Sequence, residues 1–393
     1  MTARSIAITL GRPMTASKPL RLEVYRTAIP MRGFEHAAAS RNVAESIVTR
    51  LEFADGLVGY GQTLPRPYVT GETIDSVIAD ISKTIWGACK RIEFGSWNDP
   101  SFWDAMKSIP SVASDRCINA AACAVDIACM CRNLISVSRP TQPIAQRASG
   151  VLGSSDPAKT AKRLTLMQLF GMRDFKLKVG FADDIDAENM RIVLAHIGKG
   201  LPGRKYTLRV DVNGAWDAST TPDRIERLAC MGICAVEQPV RCSAGELAEL
   251  ARKCKLPLIA DESLLTIKNA LSLLESPRQV WWNVRLSKNG GFARCRELLT
   301  LAASKGVTCV LGCMVGESSI LSLWQRWLLA TAGDPVRFVE GNYGKFLLKD
   351  DLTRKSLRFG YGGRLRVPSP DSPCSRVDGA KLGLYGRLVT ILS

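Results

Sequence analysis

Between residues 175 and 291 the chain carries five short apolar runs, each closing on charge: FKLKVG (175–180), LRVDVNGAWD (208–217), AVEQPV (235–240), PLIADES (257–263) and WWNVRLSKNGG (281–291). Each offers a few apolar, often β-branched residues, then carboxylates or cations, then a turn signal. The stretches between them are long enough for one helix each. Strands alternating with helices are the pattern of a parallel sheet. In a closed parallel barrel the reacting residues come from the carboxyl ends of the strands. Asp211, Glu237 and Asp261 fall at three successive strand ends, and cations stand on the strands to either side. Three converging carboxylates make a hard, oxygen-rich site of the kind Mg²⁺ takes.

Side-chain parity refines this pattern. Lys176 and Lys178 are two apart on one strand and so point the same way, into the barrel mouth. Burying two ammonium groups together is costly unless an anion joins them. A second cation and a Mg²⁺ ion lower the pKa of the inner lysine, which makes Lys178 a base near neutral pH. Asn213, two residues beyond Asp211, is placed to support a ligand. Glu262 follows Asp261 directly and is expected to point away into a salt bridge. Arg285 stays protonated at ordinary pH, so it is a poor base but a good cation for an oxyanion or a carboxylate. Lys288, three residues further on, has the opposite parity and is expected to point outward.

Upstream, LRLEVYRTAIPMRGF (20–34) alternates as a strand does, and SIVTRLEFADGLVGYGQT (46–63) reads as a hairpin turning at Asp55-Gly56. Helical sequence then runs from Ile74 to about Val137 and includes the small-residue helix CINAAACAVDIACMCRNLI (117–135), in which Asp126 is expected to cap a helix or bridge two domains. RPTQPIAQRASGVLG (139–153) supplies a linker and the first barrel strand. GVTCVLGCMVGESSI (306–320) supplies the seventh and VRFVEGNYG (336–344) the eighth. Residues 1–18 read as an extension, with 6–10 framing an added strand.

Composition sets outer bounds. A chain of 393 residues points to two domains. No apolar run reaches the roughly 18 residues that span a bilayer, and the first twenty residues lack the apolar core of a signal peptide. Thirteen cysteines, mostly in apolar surroundings, read as reduced core thiols of a cytoplasmic protein. The net charge of +16 attracts anions, but its Lys and Arg are spread along the chain without a basic tail or interleaved aromatics. Nucleic-acid binding is therefore not expected as a main function.

The ordered set of Lys-x-Lys at 176–178, Asp211, Glu237 and Asp261, with steps of 26 and 24 residues between the carboxylates, resembles the muconate-lactonizing-enzyme-like subgroup of the enolase superfamily. PRPYVTGET (65–73), NGG (289–291) and GCMVGESS (312–319) extend the likeness over roughly residues 20–390. The resemblance implies a modified TIM barrel, (β/α)7β, with an α+β capping domain. On that plan 1–18 is an extension, 19–138 the cap, 139–345 the barrel, and 346–393 a segment packing back on the cap. It implies one Mg²⁺ on Asp211, Glu237 and Asp261, with Lys178 as acid/base and Lys176 as its electrostatic partner. Segments 31–42 and 63–73 match the two loops that close the active site in that superfamily, with Arg32, Phe34, His36, Arg66 and Tyr68 as substrate-binding candidates. Cys313 is expected in the pocket wall, and Glu317 and Glu340 as substrate contacts or salt-bridge partners.

The sequence also departs from the resemblance. The strand-six lysine that the subgroup carries 24 residues after the third carboxylate is Arg285 here. His36 and His196 are the only histidines, so the His-Asp base of the mandelate racemase type is missing. FVEGNYG (338–344) lacks the Asp-x-Asp of dipeptide epimerases. The implied activity is one-base, Mg²⁺-dependent abstraction of a proton α to the carboxylate of a small acid, as in a cycloisomerase or dehydratase. Two alternatives are a racemase or epimerase of an amino-acid-like acid, and a metal-retaining binding protein. A cytoplasmic homo-oligomer without membrane contact is expected.

Overall fold

The apolar alternation near the N-terminus folds into an antiparallel sheet. β1 (Pro19–His36) pairs with β2 (Ala39–Phe53), and β2 with β3 (Val58–Thr63) across the Asp55-Gly56 turn, where Gly56 takes φ +77°. The computed structural model describes residues 15–36, 39–137, 139–140, 142–198, 205–369 and 376–393; the strand expected at 6–10 lies outside them. Segment 31–42, expected as a loop, is mostly strand instead. β1 runs to His36, because pairing with β2 resumes at Phe34 after a register shift beyond Pro30 and satisfies the backbone that a loop would leave to water.

A short ribbon of β4 (Val112–Ala113) and β5 (Arg116–Cys117) precedes the helix Asn119–Arg132. That helix is buried along nearly its whole length and lies directly on β3. Small residues permit the approach: a Cβ at Gly61 would sit 1.8 Å from the Ala124 carbonyl oxygen, and one at Gly59 1.9 Å from that of Ala128.

The barrel strands form where the charged runs stand. β6 (Gly150–Leu152), β7 (Asp174–Lys178), β8 (Thr207–Asp211), β9 (Val236–Glu237), β10 (Leu258–Ala260), β11 (Val280–Val284), β12 (Cys309–Leu311) and β13 (Val336–Val339) pair in sequence order, all parallel. The parallel bridge between Ala148 and Val339 closes the ring. One helix lies between each successive pair, from Pro157–Leu169 to Ser319–Ala332. Inside, Ala235, Ile259, Trp281, Val310 and Phe338 pack as a small core of their own. By strand parity they lie one layer beneath the polar residues of the mouth.

β14 (Gly386–Leu392) returns to pair antiparallel with β1, so both ends of the chain build the cap. Cap and barrel meet along a seam. Asp126 accepts from the backbone N–H groups of Phe292 and Ala293, the first turn of the helix Phe292–Lys305. This is capping, one of its two expected roles. A Cβ at Gly291 would fall 2.4 Å from Asp126 Oδ1, which is why the chain needs glycine there. Trp97, Trp103, Phe292 and Trp324 pack beside it in edge-on and tilted ring contacts. The twelve described cysteines are free. Among the described residues no helix is long and apolar enough to cross a membrane.

Candidate active site at the barrel mouth

Strand register brings the charges together. Lys178 pairs with Asp211, and Asp211 with Glu237, while Lys176 lies opposite Arg209 one layer deeper. Asp261 follows β10 directly. All of these side chains are buried except Lys178, which keeps 12% of its side chain in contact with solvent.

Each carboxylate holds cations. Lys178 Nζ donates to Asp211 Oδ2 at 2.8 Å and to Asn213 Oδ1 at 2.9 Å, so Asn213 supports the lysine. Lys176 Nζ lies 3.2 Å from Asp211 Oδ2 and donates to Glu237 Oε2 at 3.1 Å and Glu340 Oε2 at 2.6 Å. Arg285 Nη2 donates to Glu237 Oε1 at 3.2 Å and, more closely, to Asp261 Oδ2.

Burial alone would drive all these charges toward neutrality, and the ion pairs oppose it. Asp211 is held well below the usual carboxylate range: burial pushes it up, but Lys176 and Lys178 outweigh that. Glu340 is likewise held low by Lys176 and Arg209. Burial lowers Lys176, yet Asp211, Glu237 and Glu340 carry it above its ordinary value. Glu237 differs. Burial and the crowding of Asp211, Glu340 and Asp261 push it up to about 7 despite Lys176.

Two expectations from parity fail. Lys288 is fully buried and turned inward, donating to Asp261 Oδ1 (2.9 Å), the Asp261 carbonyl (2.7 Å) and the Asn283 carbonyl (2.6 Å). β11 stops at Val284, so strand alternation does not extend to residue 288. The turn that follows, in which the Asn289 N–H bonds the Arg285 carbonyl, swings Lys288 back beneath Asp261. Its three protons are all taken by these acceptors, and it does not line the cavity. Glu262 makes no salt bridge among the described residues. Its Oε2 is buried without a hydrogen-bond partner, and the residue faces the cavity.

That cavity, of about 600 Å³, opens above the charges. Lys176, Lys178, Asn213, Arg285, Glu317 and Glu340 line its polar floor, with Cys313 beside them. Burial pushes the Cys313 thiol up, which suits a wall residue rather than a nucleophile. Glu317 accepts from the Met314 N–H at 2.8 Å and is raised to about 7 by burial. Glu340 serves as an ion-pair partner of Lys176 and Arg209. Of the residues expected from the two N-terminal segments, Arg32 and Tyr68 reach the cavity, and Arg32 Nη1 donates to the Phe346 carbonyl at 2.9 Å. Arg66 does not reach it; it is buried, donating to the Pro65 and Val315 carbonyls at 2.8 and 2.9 Å. Phe34 and His36 end β1, and their side chains lie outside what the structure describes.

Sequence reasoning missed two buried polar residues that hold the charges from beneath the cavity. Arg209 donates to Glu340 Oε1 at 2.7 Å and stacks on Phe338, and Asn283 Nδ2 donates to Glu237 Oε1 at 2.7 Å. Each stands two residues before a recognised charge, Arg209 before Asp211 and Asn283 before Arg285, which is the signal that could have found them. The apolar wall of Leu166, Met167, Phe170, Phe346 and Phe359 comes from helices and C-terminal turns, where no motif marks it.

Three buried carboxylates on neighbouring strand ends are a donor set that suits Mg²⁺, and the crowding that pushes Glu237 up is what a divalent cation relieves. As arranged, however, no three metal-ligating side chains gather around one point among the described residues, and the Arg285 guanidinium stands between two of the three carboxylates.

Comparison with known proteins bears on the same region. The N-succinyl-L-Arg/Lys racemase of Bacillus cereus is 28% identical over 315 residues, covering 77% of this chain and 81% of that protein. Its crystal structure matches 96% of this chain and 100% of its own at a TM-score of 0.80 and 24% identity. The 2-chloromuconate cycloisomerase of Rhodococcus opacus matches over 95% of this chain and 100% of its own, at 0.79 and 23%. A dipeptide epimerase of Enterococcus faecalis, solved with Mg and the dipeptide L-Leu-L-Tyr, matches over 90% and 99%, at 0.73 and 23%. Residues 158–373 match the family described as Enolase C-terminal domain-like, and with that match spanning the charged barrel the chain belongs to the enolase superfamily, in its muconate-lactonizing-enzyme-like subgroup.

Proposed function

We propose that this chain is a Mg²⁺-dependent isomerase that removes a proton from the carbon α to a carboxylate, with Lys178 as the base. The observation that carries the reading is the placement of Lys178 and Arg285 in one cavity directly above Asp211, Glu237 and Asp261. Asp211, Glu237 and Asp261 would hold the Mg²⁺, which would serve as a Lewis acid for the substrate carboxylate. Lys178 takes the proton, and its hydrogen bonds to Asp211 and Asn213 fix its position. Lys176 is bound on three sides by carboxylates, so it stays charged and acts through its field. Arg285 keeps its proton and offers a fixed positive charge to the developing enediolate. The wall of Leu166, Met167, Phe170 and Phe359 favours an acid with a bulky apolar substituent and keeps water from the reacting carbon.

Two outcomes for the substrate are open to this machinery. Arg285 favours a one-base isomerisation on one face. The racemase and epimerase among the relatives favour the second reading, inversion at the α-carbon of an amino-acid-like acid. Incubating the protein with Mg²⁺ and a panel of carboxylic acids in D₂O separates them by NMR. Exchange confined to one enantiomer or one prochiral position supports the one-base reading. Exchange of both enantiomers supports racemisation, and no exchange with any acid counts against the enzyme and for a binding protein.

A further inference from the structure

Arg285 occupies the place where a divalent ion has to go. Its Nη2 bonds Glu237 Oε1 and Asp261 Oδ2 together, and every other oxygen of the three carboxylates also has a donor. Asp211 Oδ1 accepts from the Asn213 N–H and Oδ2 from Lys178, Glu237 Oε2 accepts from Lys176, and Asp261 Oδ1 from Lys288. The cations already outnumber the carboxylates: Lys176, Lys178, Arg209, Arg285 and Lys288 face Asp211, Glu237, Asp261 and Glu340. A lysine at position 285 has the option of shedding its proton when a dication arrives. An arginine does not, so it has to move.

The cavity offers it a destination. Glu262 Oε2 is buried, has no hydrogen-bond partner and faces the same cavity as Arg285. A buried acceptor left unpaired is costly unless a donor reaches it.

We infer that Arg285 is the resident counter-cation of the carboxylate site, and that a divalent ion enters by displacing its guanidinium from Glu237 and Asp261 toward Glu262. The inference rests on the assignment of Mg²⁺ to this site. It makes metal binding and the position of Arg285 two sides of one equilibrium, so that residue 285 sets metal affinity as well as facing the substrate.

The test is calorimetric titration of the metal-free full chain with MgCl₂, accompanied by thermal melts with EDTA or Mg²⁺. Arg285→Met is expected to bind Mg²⁺ tighter than the unaltered chain, on the order of tenfold, and to gain more melting temperature from Mg²⁺. Arg285→Lys is expected to lie between them and serves if the methionine variant folds poorly. Glu262→Gln is expected to weaken Mg²⁺ binding in the unaltered background and to have no effect once Arg285 is methionine. Equal or weaker Mg²⁺ binding in both residue-285 variants overturns the inference while leaving the metal assignment standing. Equal loss on Glu262→Gln in both backgrounds overturns the displacement toward Glu262. Absence of Mg²⁺ binding in every variant removes the metal assignment and the inference with it.

Discussion

The barrel mouth and the region beneath the cap both bury carboxylates but surround them with different donors. At the mouth, Asp211 and Asp261 face cations within hydrogen-bond reach. Within the cap, Glu72 accepts from the N–H groups of Ala120 and Ala121, and across the seam Asp126 accepts from those of Phe292 and Ala293. Burial outweighs these backbone donors, the Thr70 hydroxyl at Glu72 and the Arg294 charge near Asp126, and both carboxyls are pushed up to about 7. Helix N-termini carry partial charges, and partial charges do not match a full ammonium 3 Å away. Burial alone therefore says little about the state of a carboxylate. Donors act against crowding as well as burial: two lysines hold Asp211 low, whereas Glu237, among three other carboxylates, is pushed up to about 7 despite Lys176.

The largest expected effect tests the mouth as chemistry. Lys178→Ala is expected to lower turnover of any substrate found by a factor of about 10²–10⁴ or more. The fold should persist, because Asp211 keeps Lys176 at 3.2 Å. Near-normal turnover with intact circular dichroism would move the base elsewhere.

Next in size is the mouth as architecture. Asp261→Asn removes the charge between Arg285 and Lys288 and leaves the fully buried Lys288 with uncharged acceptors alone. Breaking a buried pair in this way costs about 3–5 kcal/mol, read as a fall in urea midpoint with a chelator present. A loss below about 1 kcal/mol would mean that the pairs at the mouth are no more than solvated contacts.

The smallest effect, and the one that sharpens the contrast, belongs to the seam. Asp126 has a folded value of about 7 against an ordinary 3.8. The folded chain therefore keeps a proton that the unfolded chain gives up. This contribution to stability is present in full below about pH 4 and is lost as the pH rises to about 7. Asp126→Asn cannot titrate, so its stability should fall less over that range. It should cost about 1–2 kcal/mol near pH 5 through weaker capping, and less above pH 7. Parallel pH profiles for the variant and the unaltered chain would show that Asp126 does not hold the proton.

Much of this molecule was legible before any coordinates. Five apolar runs ending in charge, spaced one helix apart, specify a parallel barrel, because a buried parallel strand must be apolar and its carboxyl end must face the mouth. The period of two placed Lys176 with Lys178, and the order of Asp211, Glu237 and Asp261 placed their carboxylates on adjacent strands. Tertiary structure alone decided the rest. Lys288 escaped the reading because parity ends where β11 ends, at Val284, and the direction of the next turn depends on Asn289 and on Gly291 pressed against Asp126 of the cap. Glu262 was assigned a salt bridge that does not form, since which charges find partners is a property of packing in space. The apolar wall of the cavity, drawn from Leu166 to Phe359, has no period to betray it. Local sequence settles what each strand end can offer, whereas contacts between elements distant in the chain settle which of those offers are taken.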